Sequence, residues 1–352
     1  MQDSFSLNLP LIVDAHEDLA YNATSHERDL LKPVHERRAI EGSNKDRGGA
    51  TTSFPELKKG NVRIVFGTIW VNPCKSQFTT KPCYSNAEEA YAQARSQIQY
   101  YKNLEHSGII SIITNRVKLD EVTNSDKIGI IMLMEGADPI RTPEEAKEWY
   151  DEGLRIVGPA WGATRYAGGT RAPGPLTKEG RELMKEMDRV GLMLDCSHLA
   201  EESFFESLDL FKGNVIVSHS NSRTYCPTDR QLSDNMIRAV TSRGAVIGTV
   251  LYNSFLDVSW TKGKPKDEIT LSHVVRNIVH VSDVSGSKDN LGIGSDFDGG
   301  FGFESIPSEI DTVADLYKVG DALRSQANFS EQEARNVLGG NFLRILRKAL
   351  PE

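Results

Sequence analysis

The sequence predicts a (β/α)8 barrel of the TIM-barrel type, and two observations support this fold class. The first is a series of eight apolar or β-branched runs, each typical of a buried strand, which alternate with helical segments as in parallel α/β folds. The runs span residues 11–16, 63–71, 128–134, 155–160, 192–196, 214–218, 245–251 and 290–295. The second is that histidines and acidic residues directly follow several runs, where the active sites of such barrels lie.

Helical segments are predicted between the strands, and one further helix is predicted at the end of the chain. The internal segments span residues 86–104, 142–152, 177–190, 201–210, 233–243, 271–281 and 310–324. The last helix opens with Ser330-Glu331-Gln332-Glu333, a capping box whose Ser and Glu side chains satisfy free backbone N–H groups. Its apolar residues continue to Leu350.

The 352 residues are expected to form a single barrel domain. Such barrels often exceed about 250 residues as one unit, and no linker rich in Pro, Gly or Ser divides the chain. The segment 22–60 is polar and rich in charge, and it fits neither a strand nor a helix well. It is expected to form a loop-rich insertion with a short helix over the barrel mouth, a common place for substrate contacts.

The composition favours a small-molecule substrate. A net charge of −8 gives no electrostatic reason to expect nucleic acid, and the apolar runs stay below the ~18 residues that a membrane span needs. The N-terminal residues Met1 to Phe5 lack the basic start and apolar stretch of a secretory signal. A cytoplasmic location is therefore expected, although a signal peptide that had already been removed would leave no trace.

The four cysteines form no C-x-x-C pair. Cys74 and Cys83 bracket a polar loop and could pair in an exported protein, whereas Cys196 and Cys226 flank the histidine-bearing strands and are typical of small buried residues. Free thiols are expected in preference to a structural disulfide.

Five residues of metal-ligand type are expected to meet at the barrel mouth. They are His16, Asp18, Glu135, His198 and His219, each at or just past the end of a predicted strand. Because parallel strands place their C-terminal ends on one face, residues far apart in sequence converge there. His16 and Asp18 are two residues apart, so in an extended strand both side chains point the same way and can bind one ion.

Imidazole and carboxylate ligands suit zinc, and the two oxygens of Glu135 could bridge two ions. Ions about 3.5–4 Å apart would hold one water between them and make it hydroxide near neutral pH, which is hydrolase chemistry. A single histidine is more often a surface or satisfied core residue, so the joint placement carries this hypothesis. The histidines without that placement are expected to be solvated or structural. These are His26, His35, His106, His273 and His280.

The segment Gly294-Ser295-Asp296-Phe297-Asp298-Gly299 places two acidic residues after the eighth strand. As a calcium loop it lacks the third acidic position and the spaced Glu of an EF-hand. As an aspartyl-phosphate nucleophile pair it follows the last strand instead of the first. We interpret Asp296 as a catalytic carboxylate that moves a proton at the barrel mouth, and Asp298 as a turn residue.

Seven short segments, in order from residue 14 to residue 344, give the chain a family resemblance. They are Asp14-Ala15-His16-Glu17-Asp18, Met134-Glu135-Gly136, Asp195-Cys196-Ser197-His198, Val217-Ser218-His219-Ser220, Asp229-Arg230-Gln231-Leu232-Ser233-Asp234, Gly292-Ile293-Gly294-Ser295-Asp296-Phe297-Asp298-Gly299 and Gly339-Gly340-Asn341-Phe342-Leu343-Arg344. One segment alone is a weak signal, but the ordered set is highly specific. The chain resembles the renal or membrane dipeptidase family of zinc peptidases (M19), within the amidohydrolase-like barrels.

The resemblance implies a dipeptidase with two Zn²⁺ ions per chain. By similarity, His16 and Asp18 bind the first ion, His198 and His219 bind the second, and Glu135 bridges both. The implied nucleophile is a metal-bridging hydroxide that attacks the amide carbonyl while zinc polarises its oxygen. Family members are often homodimers, so a homodimer is also implied.

The resemblance also assigns residues to the substrate. Arg230 matches the arginine that contacts the substrate carboxylate, a task that suits a planar guanidinium. Asp296 matches the acid that gives the leaving nitrogen its proton. The implied substrates are small dipeptides, including those with a D-residue at the C-terminal position, and the products are two amino acids.

One departure from the family concerns substrate binding. Better-known eukaryotic members carry a Leu-Thr-His segment after the fourth strand, whereas this chain has Gly158-Pro159-Ala160-Trp161-Gly162. Trp161 either takes the substrate-contacting role of that histidine or packs in the pocket wall. An indole N–H donates one hydrogen bond but cannot ionise, so oxyanion stabilisation would weaken or pass to Arg165. Arg165 and Arg171 either recognise an acidic substrate side chain or are ordinary loop charges.

Two alternatives to a dipeptidase stay open. One is a related amidohydrolase that acts on another small carboxylate-bearing amide, and the other is a non-catalytic protein that holds metal. A phosphotriesterase-like lactonase would show His-x-His on the first strand and a bridging lysine on the fourth, whereas this chain has His16-x-Asp18 and Glu135.

Overall fold

The computed structural model describes residues 9–41, 48–75 and 82–352, so the N-terminal residues Met1 to Phe5 lie outside it. Its strands are β1 Ile12–Glu17, β2 Val62–Trp70, β3 Ile110–Ile112, β4 Ile128–Glu135, β5 Leu154–Gly158, β6 Ala167–Gly169, β7 Ala172–Leu176, β8 Met193–Asp195, β9 Val215–Ile216, β10 Ile247–Thr249 and β11 Leu291–Ile293. Nine of them form one parallel sheet, in which eight follow the order β10-β11-β1-β2-β4-β5-β8-β9 and the ninth, β3, pairs with β4. All eight predicted strands are therefore confirmed.

The sheet curls into a nearly closed barrel. The remaining gap between β9 and β10 is spanned by a parallel bridge between Val217 and Ile247. The Val217 N–H donates to the Val246 carbonyl at 3.0 Å, and the Gly248 N–H donates to the Val217 carbonyl at 2.8 Å. Closure leaves few unpaired strand edges and gathers the C-terminal ends of the strands around one mouth.

Helices occupy most of the connections between strands. They are α1 Leu19–Ser25, α2 Val34–Glu41, α3 Phe54–Lys59, α4 Ala87–His106, α5 Arg116–Thr123, α6 Ala146–Asp151, α7 Lys178–Val190, α8 Glu201–Leu210, α9 Asp234–Ser242, α10 Asn253–Leu256, α11 Leu271–Ser285, α12 Tyr317–Ala327, α13 Glu331–Arg335 and α14 Asn341–Ala349. Each predicted helical segment overlaps one of them. The last helix starts with the predicted capping box at Ser330, but a π-helical turn at 336–340 separates α13 from α14.

The barrel interior is filled by side chains that alternate along the strands. The interior set includes Val13, Ala15, Ile64, Phe66, Ile131, Leu133, Ile156, Met193, Ile216 and Val246. Phe342 of α14 joins this set, with its ring centroid 5.3 Å from that of Phe66. A Cβ on Gly292 of β11 would lie 2.3 Å from the Phe342 ring, so this strand position requires glycine.

Strand geometry explains how two site residues reach the mouth. In β4, Ile131 and Leu133 face the interior, and regular alternation carries Glu135 to the same side. In β1, regular alternation from Ala15 would point Glu17 into the barrel and leave His16 on the outer side. The pairing of β1 with β2, however, shifts register between Asp14 and Glu17. This irregularity gives His16 access to the centre.

Three features differ from the sequence prediction. Residues 22–60 contain most of α1 and all of α2 and α3, so the prediction of a loop with one short helix was wrong. These helices are short and α2 and α3 bury only two residues each, such as Phe54 and Leu57 in α3, so their periodic signal is weak. The short strand β3 and the antiparallel hairpin β6–β7 were not predicted, because a three-residue strand and a strand with two prolines give little signal.

Cys74 and Cys83 form a disulfide, so the expectation of free thiols was wrong for this pair. Backbone pairing brings the two residues together: the Cys74 N–H donates to the Tyr84 carbonyl at 2.9 Å, and the Tyr84 N–H donates to the Asn72 carbonyl at 2.8 Å. Cys196 and Cys226 are free and buried, as predicted. In the described ranges, no helix is long and apolar enough to cross a membrane.

The disulfide predicts the thiol count of the purified chain. Under denaturing conditions without reductant, two thiols are expected to react with a thiol-specific chromogenic reagent, and four after reduction. A Cys74→Ser/Cys83→Ser variant should give two thiols in both conditions. Four reactive thiols in the unreduced parent chain would contradict the pairing.

Candidate metal centre

Three side chains from different strand ends converge on one point at the barrel mouth. Glu135 Oε1 lies 3.0 Å from His198 Nε2 and 3.2 Å from His219 Nε2, and the two Nε2 atoms are 3.1 Å apart. Ligand atoms that surround a tetrahedral zinc at about 2.0–2.1 Å lie about 3.3 Å from one another. The spacing of these three atoms therefore matches that of ligands around one ion.

His16 extends this group towards two more carboxylates. Its Nε2 atom lies 3.8 Å from Glu135 Oε1, 4.0 Å from Asp18 Oδ1 and 3.8 Å from Asp296 Oδ1. Its ring also stacks on His219 with 3.5 Å between the centroids. Glu135 thus stands between a group with His198 and His219 and a group with His16, Asp18 and Asp296.

Burial shifts the pKa of every titratable group in this cluster. Desolvation lowers the pKa values of His16, His198 and His219 well below the usual value, and the Arg230 charge lowers them further. Desolvation raises the pKa of Glu135 well above its usual range, with added repulsion from Asp18. The protein alone therefore favours neutral histidines and protonated carboxyls at this point.

Two of the acidic groups next to His16 are shifted in the same direction. Desolvation raises the pKa of Asp18 to about 6, although a hydrogen bond from Thr68 opposes the shift. Desolvation and the charge of Asp18 raise the pKa of Asp296 well above its usual range. A bound cation would reverse these preferences, because it favours ionised carboxylates beside neutral imidazoles.

The donor set fits a metal ion. Neither ring nitrogen of His16, nor Oε1 of Glu135, has a hydrogen-bond partner among the described residues, although all three atoms are buried. Buried polar atoms normally have such partners. Neutral imidazole nitrogens and carboxylate oxygens are ligands that zinc accepts.

Two residues of the centre have an uncommon backbone conformation. The φ angle is 64° at His198 and 61° at Asp296, in the left-handed region. Such residues typically cost about 1–3 kcal/mol and persist where the surrounding structure holds them. At His198, the Thr170 hydroxyl contributes to this hold through a contact of 3.0 Å with Nδ1.

Arg230 is placed beside the cluster by its own hydrogen bonds. Only 6% of the residue is exposed. Its Nη1 donates to Ser220 Oγ at 2.8 Å, and its Nη2 donates to the His219 carbonyl at 2.8 Å. Desolvation lowers the pKa of Arg230, whereas Asp296 and Glu135 raise it. A fixed cation thus lies next to the proposed ligands.

Trp161 lies in an aromatic wall at one side of the centre. Its ring centroid is 5.2 Å from that of Trp70 and 6.1 Å from that of His198. Arg165, the predicted alternative oxyanion donor, directs its guanidinium to the backbone carbonyls of Ile140 and Arg141. These hydrogen bonds favour the interpretation of Arg165 as an ordinary loop residue over its interpretation as an oxyanion donor.

Arg171 stands at the turn of the β6–β7 hairpin with an exposed side chain. Its backbone N–H donates to Asp229 Oδ2 at 2.6 Å, which ties the hairpin to the residue before Arg230.

The histidines that were predicted to be structural include His273, which accepts from the Thr270 N–H at 3.2 Å, and His280, which lies 2.8 Å from Asp234 Oδ1.

Asp298 has a larger role than a turn. Its φ of 59° fits a turn, but its side chain is fully buried and lies 3.3 Å from Arg28 Nη1 and 3.6 Å from Arg37 Nη2. Its Oδ1 also accepts from the Thr51 N–H at 2.8 Å and from the Thr51 hydroxyl at 2.7 Å. This network joins the 22–60 segment to the loop that carries Asp296.

A parallel barrel with a buried His and carboxylate cluster at the C-terminal ends of its strands defines a metal-dependent hydrolase of the amidohydrolase type. A model of the membrane dipeptidase family, peptidase family M19, matches residues 7–350. The chain belongs to this family, whose members are metal-dependent dipeptidases.

Individual relatives agree with this assignment. An uncharacterised dipeptidase of Schizosaccharomyces pombe is 25% identical over 354 residues, which cover 95% of this chain and 80% of that protein. The dipeptidase tcpJ of Claviceps purpurea is 31% identical over 176 residues, covering 49% of this chain and 38% of that protein.

Two solved structures share the fold. The metallopeptidase dipeptidase AC has a TM-score of 0.81 at 23% identity, with 98% of this chain and 100% of that chain covered. A metallopeptidase of Rhodobacter sphaeroides, solved with a phosphinate mimic of the dipeptide L-Ala-D-Ala, has a TM-score of 0.79 at 23% identity, with 97% and 99% covered.

The buried network predicts that Asp298 contributes strongly to stability. Asp298→Asn keeps the shape of the side chain but leaves Arg37 facing a neutral group and leaves Arg28 with only Glu41 as an acidic partner. The free energy of unfolding is expected to fall by about 3–5 kcal/mol, as when one partner of a buried ion pair is removed. Chemical denaturation measures this change.

The control is Asp311→Asn, which removes the pair between Arg38 and a carboxylate that is 62% exposed. This change is expected to cost no more than about 1 kcal/mol. Equal losses for both variants would contradict a special role for Asp298.

Proposed function

We propose that this chain is a dinuclear zinc dipeptidase that uses the cluster around Glu135. The observation that supports this proposal most strongly is the position of Glu135 Oε1, 3.0–3.8 Å from the Nε2 atoms of His16, His198 and His219. His16 and Asp18 would hold one zinc ion, His198 and His219 the other, and Glu135 would contribute to both.

Zinc at this position would supply a water nucleophile that is active near neutral pH and would polarise the substrate carbonyl. The protein residues orient the dipeptide and move protons. Asp296 accepts a proton when the attacking water is activated and delivers it to the leaving amide nitrogen. Its Oδ1, 3.8 Å from His16 Nε2, is close enough to the cluster for this task.

Arg230 would bind the substrate carboxylate. Two of its nitrogens are already fixed by Ser220 and the His219 carbonyl, so the guanidinium is held in place before substrate binds. Its burial strengthens its attraction for an anion, because the local dielectric constant is lower than that of water. A free α-carboxylate is thus a required part of the proposed substrate.

The substrate class includes dipeptides with a C-terminal D-residue. The related Rhodobacter sphaeroides metallopeptidase was solved with a mimic of L-Ala-D-Ala, which motivates this part of the proposal.

A second candidate substrate is another small carboxylate-bearing amide. The observation that favours it is Trp161, whose indole stands 6.1 Å from the His198 ring and cannot ionise.

The first test is release of amino acids from a panel of L,L and L,D dipeptides. Zinc-loaded enzyme should hydrolyse part of the panel, and chelation should abolish turnover until zinc is restored. His198→Ala is expected to lower kcat at least 1,000-fold, because one zinc position would lose a ligand.

The matched control is His280→Ala, which removes a histidine that pairs with Asp234 instead of joining the cluster. It should retain the parent kcat within about twofold. Two bound zinc ions without turnover of any dipeptide would overturn the dipeptidase proposal and favour the second candidate.

The role of Arg230 predicts a loss of carboxylate recognition. Arg230→Lys keeps the charge but loses the planar fork, so kcat/KM for a free dipeptide should fall about 10–100-fold, the equivalent of ~1.4–2.8 kcal/mol. Steady-state kinetics measure this value. A dipeptide with an amidated C-terminus serves as the control, since its kcat/KM should be low in the parent and nearly unchanged by the substitution. An equal fall for both substrates would contradict carboxylate binding by Arg230.

A further inference from the structure

Asp195 and Ser218 form a hydrogen-bonded clamp behind His219. Asp195 Oδ1 accepts the backbone N–H groups of Ser197 at 3.0 Å and Ser218 at 2.9 Å. Its Oδ2 accepts the Ser218 hydroxyl at 2.5 Å. Each carboxylate oxygen therefore has a distinct set of donors.

The same arrangement occurs elsewhere on the barrel. Asp14 Oδ1 accepts the backbone N–H groups of His16 at 3.3 Å and Ser295 at 2.8 Å, and Oδ2 accepts the Ser295 hydroxyl. In both clamps the serine lies two residues past the end of the strand that pairs with the strand of the aspartate, although Asp195 ends β8 and Asp14 lies within β1. The serine directly precedes a residue of the centre, His219 in one clamp and Asp296 in the other.

Only one of the two serine hydroxyls contacts a proposed ligand. Ser218 Oγ lies 2.7 Å from His219 Nδ1 and 3.1 Å from Ser197 Oγ. Ser295 Oγ instead accepts the Phe297 N–H at 3.3 Å. The Asp14 clamp is therefore a natural reference for the Asp195 clamp.

The direction of the Ser218 hydroxyl follows from counting its protons. A serine oxygen has one hydrogen and two lone pairs, and an ionised carboxylate accepts only. Burial raises the pKa of Asp195, whereas the hydrogen bonds from Ser218 and Ser197 lower it and favour the ionised form. Beside an ionised Asp195 the Ser218 hydrogen points to Oδ2, so Ser218 Oγ accepts from His219 Nδ1. That contact requires a hydrogen on Nδ1 and leaves the lone pair of a neutral imidazole on Nε2, the atom 3.2 Å from Glu135 Oε1.

We propose that Asp195 and Ser218 are positioning residues that hold His219 in the Nδ1–H tautomer, with Nε2 free to bind metal. The inference rests on the zinc site of the proposed function. It adds that metal affinity depends on the direction of one buried hydroxyl, which is one hydrogen bond away from the His219 ring.

The test begins with Asp195→Asn. The amide oxygen must take the place of Oδ1, because two backbone N–H groups donate there, so the NH₂ group replaces Oδ2. This NH₂ donates to Ser218 Oγ and turns the hydroxyl towards Nδ1, which favours the Nε2–H tautomer. One of the two zinc ions should bind about 10–100-fold more weakly, the usual range for loss of an outer partner of a histidine ligand.

A second substitution gives the sharpest result. In Asp195→Asn/Ser218→Ala, no hydroxyl can donate to Nδ1, so His219 is free to adopt the metal-binding tautomer. Zinc affinity should recover to the level of Ser218→Ala alone, which lies between those of the parent and Asp195→Asn. A purely structural role predicts the opposite, with the double variant binding most weakly.

Zinc stoichiometry by elemental analysis and affinity by chelator competition provide the readouts. Asp14→Asn, which makes the same chemical change in the other clamp, should leave the affinity of the His219 site within about threefold. Parent-like affinity in Asp195→Asn, or a double variant weaker than Asp195→Asn, would overturn the inference. If Asp195→Asn does not fold, parent-like affinity in Ser218→Ala overturns it.

Failure of the proposed function gives a different result. A parent chain that binds no zinc, or whose zinc affinity is unchanged by His219→Ala, would refute the metal site itself. The tautomer proposal alone is refuted when the parent binds zinc and His219→Ala weakens that binding, but the clamp variants do not change zinc affinity as predicted.

Discussion

The convergence of buried nitrogen and oxygen atoms on Glu135 Oε1 is the constraint on which the site depends. Three imidazoles and three acidic groups lie together out of water, and burial alone shifts the pKa values towards neutral forms. Unpaired polar atoms at such depth are costly unless a partner is bound. A bound cation would give all of these buried nitrogen and oxygen atoms a partner at once. The cluster therefore fits a metal centre better than a hydrogen-bonded core.

The barrel sets the positions of these groups, and small departures from regular geometry set their directions. Regular alternation in β4 points Glu135 towards the centre of the barrel mouth, whereas β1 needs a register shift to point His16 there. His198 and Asp296 require left-handed backbone conformations. The strands alone would therefore bring the ligands to the mouth without orienting all of them towards one point.

Much of this could be predicted from the sequence. Apolar runs are local signals, so the eight strands were found, and ligand-type residues at their ends pointed to the mouth where His16, Glu135 and His219 meet. The disulfide and the helices of residues 22–60 were not found, because each depends on contacts that no local pattern reports. Asp298 was predicted only as a turn, since its partners Arg28 and Arg37 are about 260–270 positions away in the chain.

The Asp298 network links the stability of the outer segment to the geometry of the centre. Asp296 and Asp298 both have positive φ, and this strain of about 1–3 kcal/mol per residue must be offset locally. Arg28, Arg37 and Thr51 supply favourable contacts to Asp298. Because only one residue separates the two aspartates, a change that releases Asp298 would also release the backbone that aims Asp296. The described part of segment 22–60 thus helps to hold the proposed proton carrier in place through Asp298.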